Sequence, residues 1–134
     1  MHALELIHTA LRPNGLLLDV RPAQQQPRLE SSHAEKCTLL GHIHDTYRMG
    51  TLAMADAALQ TLIDRGFFIL EEETIFPFIY HCGDVNTWLA YMAEHWSSAT
   101  VDATLIERAR AALSLDHRDL RIVRAIHVAR LRWT

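Results

Sequence analysis

The stretch Leu11–Pro22, LRPNGLLLDVRP, constrains the fold more than any other part of this chain. Pro13 ends a helix, because the residue before a proline is pushed out of helical geometry. Asn14 and Gly15 supply the turn, since both tolerate positive φ. Leu16, Leu17 and Leu18 then form an apolar run without alternation, closed by Asp19 and Pro22. Such a run reads as a strand covered on both faces, so Leu16–Val20 is expected at the centre of the sheet.

The rest of the chain supplies partners for that strand. Ala3, Leu4, Ile7 and Leu11 share one face of a helix over 2–12. Two short runs, 28–32 and 37–43, flank the polar tip His33-Ala34-Glu35-Lys36 and predict a hairpin. Thr46 to Arg65 is helical, with Leu52, Ala55, Leu59, Leu62 and Ile63 as its apolar stripe. Gly66 stands at its C′ position. The segment FFILEEETIFPFIYHC is rich in β-branched and aromatic residues and predicts strands near 67–73 and 75–81, or one bent ribbon. Pro77 lacks a ladder N–H, which demands an edge, a bulge or a bend. Asp84 and Asp102 are expected N-caps of helices over 85–96 and 103–114. Asp119–Trp133 predicts a long interior strand, apolar on both sides through its middle. Its odd-numbered residues from Val123 to Trp133 lie on one face and its even-numbered residues on the other.

These elements imply a single α+β domain, α/β-like in parts. Its small mixed, largely antiparallel sheet is covered by about four helices. At 49% apolar and 22% charged, the composition is that of a chain with a packed core. A net charge of −3 leaves no overall electrostatic footprint for nucleic acid. The arginines from Arg108 to Arg132 are offset by Asp102, Glu107, Asp116 and Asp119 and read as a solvated, salt-bridged face. No apolar run approaches the roughly 20 residues that span a bilayer. MHALELIHTAL has no basic segment ahead of its apolar residues, so no signal peptide is expected. The two cysteines, Cys37 and Cys82, form no disulfide framework, and a reducing cytoplasm is expected.

HTALRPNGLLLDV resembles the late strand, with the helix before it, of class I S-adenosylmethionine-dependent methyltransferases, in which a helix–LRPGG–LLL segment is common. The helix ending in Gly66 before Phe67, Phe68, Ile69 and Leu70 is similar to the family's next helix-to-strand transition. The long terminal strand fits a strand that returns antiparallel to the sheet. The resemblance covers Leu4–Val20, more loosely Leu52–Leu70, and the terminal strand by topology. It implies the C-terminal part of a methyltransferase domain without the cofactor-binding half. No GxGxG is present, and the glycines at 15, 41, 50, 66 and 83 never cluster. No residue here matches a donor-binding position, and no cofactor is expected. A strand that has lost its parallel neighbours exposes an edge. Either the 28–43 hairpin folds over that edge, or a second copy pairs with it. The expectation is a homodimer.

Four clusters carry candidate chemistry. Phe76, Phe78, Tyr80, Trp88 and Tyr91 suit a pocket for a small apolar ligand, or else core and interface. His42 and His44, two apart on a strand and followed by Asp45, suit a metal pair, or else polar residues at a strand end or loop. Glu71 and Glu73 fall on one face of a strand and suit paired acid–base carboxylates, or else belong to a solvated charge run on an exposed strand. Cys82 precedes a helix N-terminus, which lowers a thiol pKa, but a plain buried cysteine is the default reading. Two functions follow. The first is a non-catalytic, homodimeric methyltransferase-like module that binds a small molecule or a partner. The alternative is a small enzyme or methyltransferase subunit whose donor-binding half comes from another chain.

Overall fold

A computed structural model describes residues 2–114 and 118–134. Asp116, one of the expected offsets to the arginines, lies outside the described residues. In chain order the elements are α1 (His2–Ala10), β1 (Leu16–Pro22), β2 (Arg28–His33), β3 (Lys36–His42), α2 (Thr46–Asp64), β4 (Phe68–Gly83), α3 (Val85–His95), α4 (Ala103–Leu113) and β5 (Asp119–Trp133). All strand pairings are antiparallel.

β5 is the axis of the sheet. β4 runs along one side of it from end to end, Phe68 opposite Trp133 and Gly83 opposite Leu120. β1 and β2 share the other side in tandem: β1 pairs with residues 126–132, β2 with residues 119–123, and β3 lies outside β2. The terminal strand is therefore interior, as its two apolar faces require. The 28–43 hairpin forms, but it continues the line of β1 and leaves the outer edge of β1 uncovered.

The helices cover the sheet diagonally. α1, Leu11 just after it, and α2 pack Leu4, Leu11, Leu59, Leu62 and Ile63 against Leu17, Phe68, Ala129, Leu131 and Trp133, on the face of the odd-numbered β5 residues. α3 and α4 pack Trp88, Met92, Leu105 and Ala109 against Leu29, Leu120 and Ile122, on the even-numbered face at the opposite end. Each half of the sheet is thus covered on one face only. Trp88, Leu29, Leu120 and Ile122 are almost wholly buried; burial of each is worth about 1.5–3 kcal/mol.

The local signals account for the ends of the elements. Asn14 takes φ 63°. Gly15 N–H donates to the Arg12 carbonyl at 2.8 Å. A Cβ on Gly15 would sit 2.8 Å from that same oxygen, so the turn needs glycine. Asp84 and Asp102 accept from Thr87 N–H and Thr104 N–H as N-caps, and Gly66 adopts φ 77° after α2.

One expectation is corrected outright. Leu16–Val20 is an edge strand, with Leu16, Leu18 and Val20 exposed by 51%, 63% and 61%. α1 and α2 cover only the side bearing Leu17, and no described residue covers Leu16, Leu18 and Val20 on the other. Of the two forms expected for 67–81, a pair of strands or one ribbon, the structure has one strand, bulged where Glu71 and Cys82 have no opposite residue.

Pro77 shows how the β4 edge is managed. Ala125 accepts from Ala23 N–H on the β1 side, so its backbone polar groups point away from β4. Pro77 lies opposite Ala125, and its backbone therefore faces outward. The missing N–H falls on the open edge, where it breaks a row of donors and removes no ladder bond.

Candidate functional site: the uncovered sheet face

Beyond the end of α3, the even-numbered face of β5 carries no helix. Its three columns are Leu16, Leu18, Val20 and Pro22 on β1; Arg124, Ile126 and Val128 on β5; and Thr74, Phe76 and Phe78 on β4. Phe76 and Phe78 are 43% and 52% exposed. Contiguous apolar faces of this kind mark interaction sites on soluble proteins.

The five aromatic residues named from the sequence divide between this face and the core. Phe76 and Phe78 lie in the open. Tyr80 follows them on the same face and stacks on Tyr91 of α3, with ring centroids 4.3 Å apart and planes at 23°. Trp88 points from α3 into the core, wholly buried, and its indole N–H has no partner among the described residues. The set forms the boundary between the covered and bare halves of the face.

At that boundary sits a cluster that sequence reasoning missed. Asp45 is wholly buried. It caps α2 by accepting from Arg48 N–H at 2.9 Å. It also accepts from the Trp96 indole N–H, from Ser98 Oγ at 2.9 Å and from Arg48 Nε at 3.2 Å. Its own N–H donates to Gln26 Oε1 at 3.1 Å. Burial raises its pKa, but the hydrogen bonds from Arg48, Trp96 and Ser98 and the Arg48 charge outweigh burial and hold the carboxyl below its ordinary range. Two guanidinium groups lie over the Trp96 ring, Arg48 at 5.2 Å and Arg124 at 4.5 Å from its centroid. Arg124 is half-buried, and its Nε has no hydrogen-bond partner among the described residues. Burial and the neighbouring Arg48 cation push its pKa down, against opposing contributions from Tyr91 and Asp45. The available signal was Arg124 itself, a charge in the middle of a strand apolar on both sides. Its meeting with Trp96 has no local signature.

The remaining candidates are placed as follows. His42 and His44 are both exposed and line a cleft of about 260 Å³ with Asp102 and Arg108. Among the described residues no group of three His, Cys, Asp or Glu side chains comes together to hold a metal. Glu71 and Glu73 do not share a face. The bulge at Glu71 turns it toward Arg130 and Arg132, which it bridges, while Glu73 meets His127 Nε2 at 3.1 Å on the opposite side. The arginine-rich strand is salt-bridged, but by acids other than those expected: besides these pairs, Arg121 donates to Glu30 at 2.7 and 2.9 Å, while Asp119 pairs with His81. Cys82 is buried, and burial, with the Asp119 charge, pushes its thiol up to about 11. That overturns the activated-thiol reading, because desolvation outweighs the adjacent helix N-terminus.

A further cavity of about 380 Å³ lies between α2 and the other face of the sheet, bounded by Arg21, Asp56, Leu59, Glu73, Ile75 and His127. Its charges satisfy one another: Arg21 bonds Asp19 at 2.8 Å and Asp56 at 2.6 Å, and Glu73 bonds His127.

Fold and site together define an antiparallel α+β protein with a diagonally covered sheet and one bare, apolar face. Compared with protein-family models, with curated proteins and with solved structures, the chain matches none. No helix among the described residues is long and apolar enough to cross a membrane.

Proposed function

We propose that this chain is a non-catalytic binding module. In this reading it pairs with a second copy along the outer edge of β1 and presents its bare sheet face to a small apolar ligand. The observation that carries the reading is the state of β1. Trp133 N–H donates to the Gly15 carbonyl and Ala23 N–H to the Ala125 carbonyl, so the odd-numbered residues of β1 point their backbone groups at β5. Leu16, Leu18 and Val20 point theirs outward, and their side chains are exposed as well. An unpaired, apolar edge strand is a template for another strand. Two copies related by a two-fold axis near Leu18 would extend the sheet and set Leu16 against Val20 of the partner subunit.

A second reading uses the same edge. β5 returns antiparallel between β1 and β4, which supports the methyltransferase-like resemblance. A strand from another chain carrying a donor-binding half would then occupy the place of the second copy.

Light scattering on the purified chain, with and without S-adenosylmethionine, tests both. The expected result is a dimer unaffected by the ligand, and a monomer for Leu18→Lys, which places a charge on the edge. A wild-type monomer would refute self-pairing. Stabilisation by S-adenosylmethionine would refute the non-catalytic reading.

A further inference from the structure

We infer that the bare face binds an amphipathic monocarboxylate of the medium-chain fatty acid class, its carboxylate on Arg124 and its alkyl chain laid over Ile126, Val128, Phe76 and Phe78. The inference deepens the ligand-binding part of the proposed function and rests on it.

The head-group end follows from charge. A cation withdrawn from water is costly unless it is paired, and buried charges in proteins are paired. Arg124 is half-buried, its Nε buried and unpartnered among the described residues. Asp45, the acid whose field reaches it, is already engaged by Arg48, Trp96 and Ser98. The Trp96 ring beneath Arg124 offers partial compensation, since a cation over an aromatic face is attracted to it. Arg48, Arg124 and Asp45 leave an excess of one positive charge. That excess suits a monoanion better than a doubly charged phosphate. A guanidinium fork matches carboxylate geometry bidentately.

The tail follows from register. From Arg124 the β5 column continues with Ile126 and Val128, flanked by Phe78, Phe76 and Thr74 on β4 and by Pro22 and Val20 on β1. No charged side chain enters these columns until Arg130 and Glu72. Arg124 to Val128 spans about 13 Å at the strand rise. An extended chain of roughly ten carbons has that length, from ordinary C–C bond lengths and angles. The strip is long, narrow and uncharged, with a cation at its head that is unpaired among the described residues.

The test is calorimetric titration of the full chain with decanoate below its micellar concentration. Decan-1-ol, decyltrimethylammonium and acetate serve as comparison probes. Decanoate is expected to bind one per chain, about tenfold or more tighter than decan-1-ol, with acetate and the ammonium undetected. Arg124→Met should weaken decanoate about tenfold and leave decan-1-ol unchanged, while Arg124→Lys, which keeps the charge but loses the fork, should fall between the native protein and Arg124→Met. Phe78→Ser, at an exposed position, should weaken both probes. If decan-1-ol binds as tightly as decanoate, the carboxylate assignment falls and the apolar-ligand reading stands. If no probe binds, both fall. Should Arg124→Met fail to fold by circular dichroism, the decanoate-to-decanol ratio of the native protein still decides.

Discussion

Removing the Asp45 carboxylate disconnects α2 from the α3–α4 connection. In Asp45→Ala the Arg48 N–H loses its cap, which costs about 1 kcal/mol. The Trp96 indole N–H and the Ser98 hydroxyl lose a buried acceptor, and a donor stranded in this way costs about 1–3 kcal/mol. The Arg48 pair adds little, since that side chain is 35% exposed and solvent screens it. These losses overlap, and the expected total is about 3–5 kcal/mol. Asp45→Asn keeps an N-cap oxygen but turns an NH₂ group toward the donors, and should cost about 1–2 kcal/mol. Urea unfolding followed by tryptophan fluorescence measures both. At roughly 3–5 °C per kcal/mol for a chain of this size, the alanine variant should melt some 10–20 °C below the native protein. The pH dependence is a second signature. The folded pKa of Asp45 is lowered, so its contribution is full above the unfolded carboxyl pKa near 4 and is lost as pH falls through the folded value. Asp45→Asn should flatten that acid limb. A loss under 1 kcal/mol for alanine, or an unchanged acid limb for asparagine, would refute the cluster as a structural joint.

Two other perturbations follow from local geometry. With its thiol near pKa 11 and buried, Cys82 should resist a disulfide-exchange reagent in the native protein. Exposed Cys37 should react at once, so one fast thiol is expected in buffer and two in denaturant. Ala34 holds φ 53° at the tip of the β2–β3 hairpin, a region that costs a side chain about 1–2 kcal/mol. Ala34→Gly should therefore raise stability by roughly 0.5–1 kcal/mol in the same urea assay, after the glycine's extra unfolded-state entropy is offset.

Much of the fold was legible because its signals are local. Asp84 and Asp102 announce their helices, Gly66 ends another, and the two apolar faces of Val123–Val128 identify an interior strand. The misreadings share a cause. Leu16-Leu17-Leu18 reads as doubly covered because the face left bare by the helices is itself apolar, so burial alternates where hydropathy does not. Glu71 and Glu73 were assigned a common face by strand parity, which a single bulge reverses. Asp45 stands directly before Thr46, a cap signal in plain view. Its partners Trp96 and Ser98 lie about fifty residues away, on a connection that only the assembled sheet brings near.

The central position of β5 has a consequence for biosynthesis. β1, β2 and β4 all hydrogen-bond to a strand that is translated after each of them. Until it emerges from the ribosome, β1 and β4 have no ladder to join, and the nascent chain carries their leucines and phenylalanines unsheltered. Folding therefore waits on long-range closure, the slow route to a sheet. During that interval the growing polypeptide is a natural client for chaperones that shield apolar segments. A ribosome stalled before Asp119 should present a protease-sensitive chain, and one stalled well beyond Trp133 a resistant one.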